Sequence, residues 1–398
     1  MSGTGDLAGR AARAVAGFTS TRSKDPEAMF GGPPPDGLTH VVRSHGARVE
    51  TAQGRELLDW TMALGAVGLG YAHPQVVEAV ARAAADGAVG PLPHLLEVEV
   101  AERLCAAYPG AAQARFFKTG AEAVQGAVRA ARVATGRERV VHVGYHGWLD
   151  GPTVGAGVPA PTARLWTAVP FDDVAALAAA LGKGQGAGGS AAALVIEPVV
   201  ERAPSPGWLE AARDLAAGGG TVLIFDEVKT AFRLARGGAA QRWGVLPDLA
   251  VVGKALANGF PLAAVVGRSD LMARFRESWV SSTLATEFVA LAAARAVFDV
   301  WDATDVAKHL ARVGGAMLAA LEAEAGRTRG GCTVHGLPEM WFLRFADGAL
   351  ERRFLLGCAR RGLLLKRGAY NFASLAHGDA EVAESLAAVR ATLAEAAA

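Results

Sequence analysis

Cysteine is scarce in this chain. Cys105, Cys332 and Cys358 are an odd number with no CxxC spacing, which fits a reducing cytoplasm better than a disulfide scaffold. An excess of charge is lacking too: 40 Lys and Arg stand against 39 Asp and Glu in 398 residues. That balance gives no reason to expect a nucleic acid or an anionic membrane as partner. No apolar run reaches membrane-spanning length, and the opening MSGTGDLAGRAARAV has no apolar signal core. Its Arg and Ser/Thr content faintly suggests a transit peptide, but the early Asp6 and the missing apolar stretch point to a loose or helical amino terminus. Metal-ligand spacing is missing as well. His142 and His146 have no third ligand or HExxH context, so no catalytic metal is expected. No internal repeat stands out.

Glycine is plentiful, yet two glycine-rich stretches carry no cofactor argument. GKGQGAGG at 182–189 follows a helical pattern and precedes a strand pattern, the reverse of a dinucleotide fingerprint, and reads as a flexible surface loop. GTGDLAG at 3–9 has no preceding strand. Apolar residues make up 51% of the chain, enough for two domains around a large core. Helical periodicity over Pro74 to Asp86, Leu95 to Ala107, Ala121 to Thr135, Gly207 to Ala217 and Glu287 to Trp301 alternates with short Val, Leu and Ile runs. Those runs are Val140 to Val143, Ala193 to Ile196, Val222 to Phe225, Leu249 to Val252 and Ala263 to Val266. The alternation predicts an α/β fold with a mostly parallel sheet covered by helices on both faces.

Two of the apolar runs end in polar residues. TVLIF runs into Asp226 and DLAVVG into Lys254, so both would face one edge of a parallel sheet, where open α/β folds collect ligands. A lysine in apolar surroundings is pushed toward its neutral, nucleophilic amine. A nearby aspartate can hold positive charge on a cofactor ring nitrogen. Schiff-base chemistry on pyridoxal phosphate needs that pair. A solvated lysine and a helix-capping aspartate would fit the same letters.

The surrounding words decide between these readings. They are GYAHP at Gly70 to Pro74, KTGAEA at Lys118 to Ala123, GYHGW at Gly144 to Trp148, and IEPV at Ile196 to Val199. DEVKTAFRLARGG at Asp226 to Gly238, PDLAVVGKALANGFP at Pro247 to Pro261 and SLAH at Ser374 to His377 complete the set. In this order and spacing, the chain resembles the class III aminotransferases, fold type I pyridoxal phosphate enzymes that include glutamate semialdehyde aminomutase. The resemblance implies a large cofactor-binding domain over 51–297 and a smaller α+β domain built from 1–50 and 298–398. It also implies a homodimer with shared active sites.

Site residues follow from the same likeness. Lys254 would carry the cofactor and move protons, with Asp226 on the ring nitrogen. Gly120 and Ala121 would offer backbone amides to the phosphate at a helix start, and Thr119 its hydroxyl; locally, the same letters also fit a plain cap with Thr119 as N-cap and Glu122 in the first turn. Relatives often have a hydroxyl residue where Ala121 stands. Tyr145 and Val228 would cover the two ring faces, with His146 and Trp148 supporting the pocket. Thr283 falls where the family places a threonine that reaches the partner's phosphate.

Departures from the family pattern bear on substrate. The aminomutase word SPVRAF, whose arginine binds the substrate carboxylate, is replaced by FGGPPPDGLT at Phe30 to Thr39, and its EAGF word by AYNF at Ala369 to Phe372. Both changes argue against a glutamate semialdehyde aminomutase. Where many ω-amino acid transaminases have EPVQGE, EPVVER puts Arg202, which can fork onto a carboxylate or serve as a surface arginine. Tyr370 and Asn371, with Lys366 and Arg367, are further pocket residues to test. Thr286 and Glu287 in place of the commoner GNP are seen in a branch associated with sugar and natural-product pathways. The expected reaction is amine transfer from an amino acid to a keto or aldehyde acceptor. An aminomutase, epimerase or decarboxylase would use the same lysine and aspartate. A cofactor-binding regulator or silent subunit is the non-enzymatic alternative, against which intact Lys254 and Asp226 and the missing basic patch count.

Overall fold

A computed structural model describes residues 6–153, 155–182, 190–326 and 331–397. The Gly182 to Gly189 loop assignment therefore lies almost wholly outside the described residues. The chain divides into two compact units, 74–307 and 1–73 with 308–398.

The unit 74–307 is built on a seven-stranded sheet. Its strands are β1 (Gln113–Phe117), β2 (Val140–Val143), β3 (Trp166–Ala168), β4 (Ala193–Ile196), β5 (Val222–Asp226), β6 (Leu249–Val252) and β7 (Ala263–Gly267). They lie in the order β1-β7-β6-β5-β4-β2-β3. Neighbours are parallel except β7, which runs against both β6 and β1. Every residue of β2, β4, β5, β6 and β7 is buried, as expected for strands covered on both faces, and this explains their unbroken apolar lettering.

Helices supply the cover. Gly120–Thr135 buries Ala123, Val124, Ala127, Val128 and Ala131, which join β-strand residues Val195, Ile224, Val251 and Val265 in one core cluster. Small alanines let this helix lie close to the sheet. Its C-terminus stops at Gly136 in the left-handed conformation (φ 65°). The last helix of the unit, Phe288–Ala303, begins one residue later than its periodicity suggests, because Glu287 is its N-cap and accepts from Val289 N (2.8 Å) and Ala290 N (3.2 Å).

The other unit holds two smaller sheets. One joins Val41–His45, Arg48–Thr51, Glu56–Asp59 and Leu363–Leu364; the second joins Cys332–Leu337, Met340–Phe345 and Asn371–Phe372. Pairing of Leu58 with Leu363 ties the chain's two ends together. Buried Asp59 accepts from Tyr71 Oη (2.7 Å) and Thr61 N (2.6 Å), and Trp60 stacks on His377 at 4.0 Å. Burial holds the His377 imidazole down at about 3, so it serves here as a neutral packing element. The amino terminus carries a helix, Leu7–Ala14. No helix among the described residues is long and apolar enough to cross a membrane.

Candidate active site

Parallel pairing of β5 with β6 sets Asp226 opposite Val251, and Glu227 N donates to Val251 O at 2.8 Å. Two residues past the end of β6, the chain reaches Lys254. The two strands thus deliver a carboxylate and an amine to one edge of the sheet, as the apolar runs predict.

Asp226 is 5% exposed. Its Oδ2 lies 2.8 Å from His146 Nδ1, and its Oδ1 accepts from Val228 N at 3.2 Å. Because a carboxylate accepts, His146 donates from Nδ1, and the other ring nitrogen of His146 is Nε2. That nitrogen is buried and has no partner among the described residues. The ring of His142 stands edge-on to His146 at 5.6 Å; burial first, and then His146, depress its pKa to about 4, so His142 is neutral. Both oxygens of Asp226 are therefore fixed before any ligand arrives.

Lys254 has left-handed backbone (φ 47°) and opens a single turn of 3-10 helix, Lys254–Ala257. For a residue with a Cβ this costs about 1 kcal/mol, a strain of the kind that gathers at functional sites. Its side chain is held by competing influences. Burial is the largest and Lys229 the next, and together with Arg233 they bring the amine down to about 8 against the opposing pull of Glu197 and Asp226. Relative to an ordinary lysine, that raises the free amine at neutral pH on the order of a hundredfold.

The loop after β1 leads into the 120–135 helix through a complete capping box. Thr119 Oγ1 accepts from Glu122 N (3.2 Å) while Thr119 N donates to Glu122 Oε2 (2.9 Å). The Thr119 hydroxyl also donates to Glu122 Oε2 at 3.0 Å, so the local capping pattern is formed. Gly120 and Ala121 are the first two helical residues, whose N–H groups have no intrahelical acceptor. Glycine at 120 is required by packing: a Cβ there would come within 2.9 Å of Val228 Cγ2. Glycine at 147, with φ 94°, likewise lets the GYHGW loop close on Ala121, where a Cβ would sit 2.4 Å from the alanine methyl.

These residues fit pyridoxal phosphate: an exposed helix N-terminus for a dianion, a depressed lysine for an aldehyde, and an anchored carboxylate for a ring cation. Val228 is half-buried beside Gly120, whereas the Tyr145 side chain is exposed and its backbone N donates to Glu197 Oε2 at 2.9 Å. Thr283 is exposed in the turn Thr283–Thr286. Glu287, just after that turn, pairs with Lys118 Nζ at 2.6 Å, which ties the turn to the residue preceding Thr119.

The remaining assigned residues each have local partners. Arg202 pairs with Asp172, which Ser205 also contacts through N and Oγ, and its guanidinium lies 5.3 Å from the Phe171 ring centroid. Tyr370 and Asn371 belong to the other unit. There Tyr370 packs edge-on against Phe342, and buried Asn371 accepts from Lys366 N at 2.8 Å through Oδ1 while its Nδ2 has no partner among the described residues. Lys366 Nζ donates to Ser23 O and Arg367 pairs with Glu351.

Four charged residues of the DEVKTAFR and IEPV words were left without a role by sequence reasoning: Glu227, Lys229 and Arg233, which are buried, and Glu197, which is partly buried. Lys229 pairs with Glu197 at 2.9 Å, and Arg233 Nε donates to Lys229 O at 3.1 Å. Glu227 accepts from Ala239 N (2.8 Å) and Ala240 N (2.7 Å) and from Thr230 Oγ1, and burial lifts its carboxyl to about 7. The available signal was charge inside words otherwise flanked by fully apolar strands.

Fold and site together define a pyridoxal phosphate-dependent enzyme of fold type I. The family model described as "Aminotransferase class-III" matches residues 34–376, and the chain belongs to that family. A protein named glutamate-1-semialdehyde 2,1-aminomutase from Roseiflexus castenholzii is 33% identical, the match covering 87% of this chain and 88% of the relative. Among solved structures, a transaminase with pyridoxal phosphate bound superposes with a TM-score of 0.87 at 26% identity, covering 98% of each chain. A β-phenylalanine aminotransferase from Variovorax paradoxus superposes at 0.86, also 26% identical, covering 98% of this chain and 94% of its own.

Proposed function

We propose that this enzyme moves an amino group from an amino acid donor, such as glutamate, to a keto or aldehyde acceptor, in sugar or secondary-metabolite biosynthesis. The observation that carries this reading is the pairing of a depressed lysine with an anchored aspartate at one sheet edge. Bound pyridoxal phosphate supplies an aldehyde for amines and a ring that accepts electrons from the substrate carbon. Lys254 Nζ would hold the cofactor and would take and return the proton at the reacting carbon. Asp226 holds positive charge at the ring nitrogen while His146 and Val228 N keep its carboxylate in place. Gly120 and Ala121 N–H bind the phosphate, and Val228 and Tyr145 orient the ring. The odd number of cysteines, Cys105, Cys332 and Cys358, with no CxxC spacing suits a reducing cytoplasm.

A second reading is favoured by the relative named as an aminomutase. An aminomutase returns the nitrogen to the same carbon skeleton, whereas a transaminase releases a keto acid from the donor. Candidate donors presented one at a time therefore separate the two. We expect one of them alone to bleach the cofactor's visible absorbance with release of one equivalent of keto acid, and a carbonyl compound to restore it. If no donor does so, the transaminase reading fails. The same two half-reactions test Arg202. Its guanidinium is 57% exposed on the side chain, open to a carboxylate that competes with Asp172. Arg202→Ala should weaken only the half that uses an acidic compound, by about tenfold, the lower end of what a charge-assisted fork contributes. Equal losses in both halves would assign Arg202 to holding the Asp172 loop instead.

The homodimer is part of the proposal. Trp279 is 92% exposed and Leu284 54%, and Trp279, Ser281, Ser282 and Thr286 border a cavity of about 480 Å³ that also reaches Lys118 and Glu122. Exposed aromatic and aliphatic side chains around a cleft mark an interaction surface. If Thr283 completes the partner's phosphate site, an inactive Lys254→Ala chain and an inactive Thr283→Asp chain place both defects in one site of a mixed dimer. The other site is then whole. Random exchange should restore about a quarter of wild-type activity, since half of the dimers are mixed and each has one intact site. No recovery, with exchange shown independently, would reject the shared site.

A further inference from the structure

Lys229 is a buried cation that the proposed mechanism does not use. Its side chain is 10% exposed, and its Nζ is held 2.9 Å from Glu197 Oε1. Glu197, 13% exposed, spends its other oxygen on Tyr145 N. The Lys229 backbone is fixed too, since its carbonyl accepts from Arg233 Nε. Strand pairing sets Asp226 against Val251, and a Cβ on Gly253 would lie 3.7 Å from Val228 Cγ1. Residues 229 and 254 are the next along these two adjoining segments.

We propose that Lys229 is a positioning residue of the active site: clamped by Glu197, it sets a fixed positive charge within reach of the Lys254 amine and, through Glu197, fixes the backbone of Tyr145. Four charged groups act on Lys254, namely Lys229 and Arg233 in one sense and Glu197 and Asp226 in the other. Asp226 is committed to His146 and Val228, and Arg233 is fully buried with only 1% exposure. The Lys229 and Glu197 pair is the part of that field that substitution tests. A permanently charged neighbour disfavours a second proton on Lys254, keeping its amine nucleophilic near neutral pH. The Glu197 carboxylate at 2.9 Å favours the charged form of Lys229, and the clamp prevents it from competing with Lys254 for an aldehyde.

Charge logic makes the two partners act oppositely. Lys229→Gln removes the cation and leaves Glu197 unbalanced, so the Lys254 amine should titrate higher, by about one pH unit. Glu197→Gln leaves Lys229 unbalanced and should shift the titration lower by a similar amount, while its amide oxygen still accepts from Tyr145 N. Lys229→Arg should restore the wild-type value. The inference rests on the proposed role of Lys254, so two readouts are used. In cofactor-free protein, reductive 13C-methylation followed by NMR titration reports the amine of Lys254 itself, assigned by its absence in Lys254→Ala. In protein loaded with pyridoxal phosphate, the pH titration of the visible absorbance reports the same nitrogen. Visible absorbance that depends on Lys254 upholds its role whatever the variants do. Opposite shifts for Lys229→Gln and Glu197→Gln support the inference. Shifts of the same sign, or none in either readout, overturn it, because a packing role would disturb Lys254 alike from either partner.

Discussion

Lys254→Ala should abolish the visible absorbance of lysine-held cofactor and lower turnover by roughly a thousandfold or more, since covalent attachment and proton transfer both leave with one amine. Stability should respond in the other direction. The variant removes an amine whose protonated form is penalised by burial, with Lys229 and Arg233 adding to the penalty, while an alanine keeps the same left-handed backbone strain. The unfolding midpoint should therefore hold or rise as activity vanishes, the exchange of stability for function expected at an active site. Lys229 cannot substitute, because Glu197 clamps its Nζ at 2.9 Å. A small primary amine added to the solution should recover part of the lost proton transfer by entering the space left by the side chain. Near-wild-type turnover, or an unchanged visible band, would sink the assignment of Lys254.

Legibility of the fold followed the range of the interactions. Strands β2, β4, β5 and β6 were readable because burial on both faces forces apolar letters at every position, and the flanking helices because their stripes repeat at helical spacing. The Thr119 and Glu122 capping box was readable because it spans three residues. Direction was not: AAVV reads alike in a parallel or antiparallel strand, so the reversal of β7 leaves no mark on composition. The short edge strand Trp166–Ala168 and the sheets of the 1–73 and 308–398 unit were also unread, their strands being short or only partly buried. In the site, Asp226 and Lys254 announced themselves as polar ends of apolar runs. His146 on Asp226 and Glu197 on Lys229 did not, because those contacts join residues brought together only by the crossovers between strands. The Thr119 hydroxyl, which the resemblance offers to a phosphate, meets Glu122 as the local capping pattern predicts.

Asp226→Asn changes few atoms but should lower turnover on the order of a hundred- to a thousandfold, the usual loss when one preorganised electrostatic group is removed. The amide is the same size, so Val228 N can keep its acceptor and the fold should hold. Charge is what disappears: a neutral amide does not favour a proton on the ring nitrogen, and the ring then accepts electrons from the substrate carbon poorly. His146 makes the substitution visible without a turnover assay. In the wild type its Nδ1 donates to Oδ2 at 2.8 Å. An asparagine that keeps its oxygen toward Val228 N presents an amide N–H to that nitrogen, setting donor against donor. His146 must then carry its proton on Nε2, which is buried and has no partner among the described residues, or the amide must turn and leave Val228 N unpaired. Either choice costs about 1 to 3 kcal/mol as an unmet buried group. 15N NMR of the His146 ring should show loss of the Nδ1–H form in Asp226→Asn, together with weaker retention of the cofactor. Turnover equal to wild type would reject Asp226 as the ring-nitrogen carboxylate, and an unchanged His146 tautomer with low turnover would confine the defect to the lost charge.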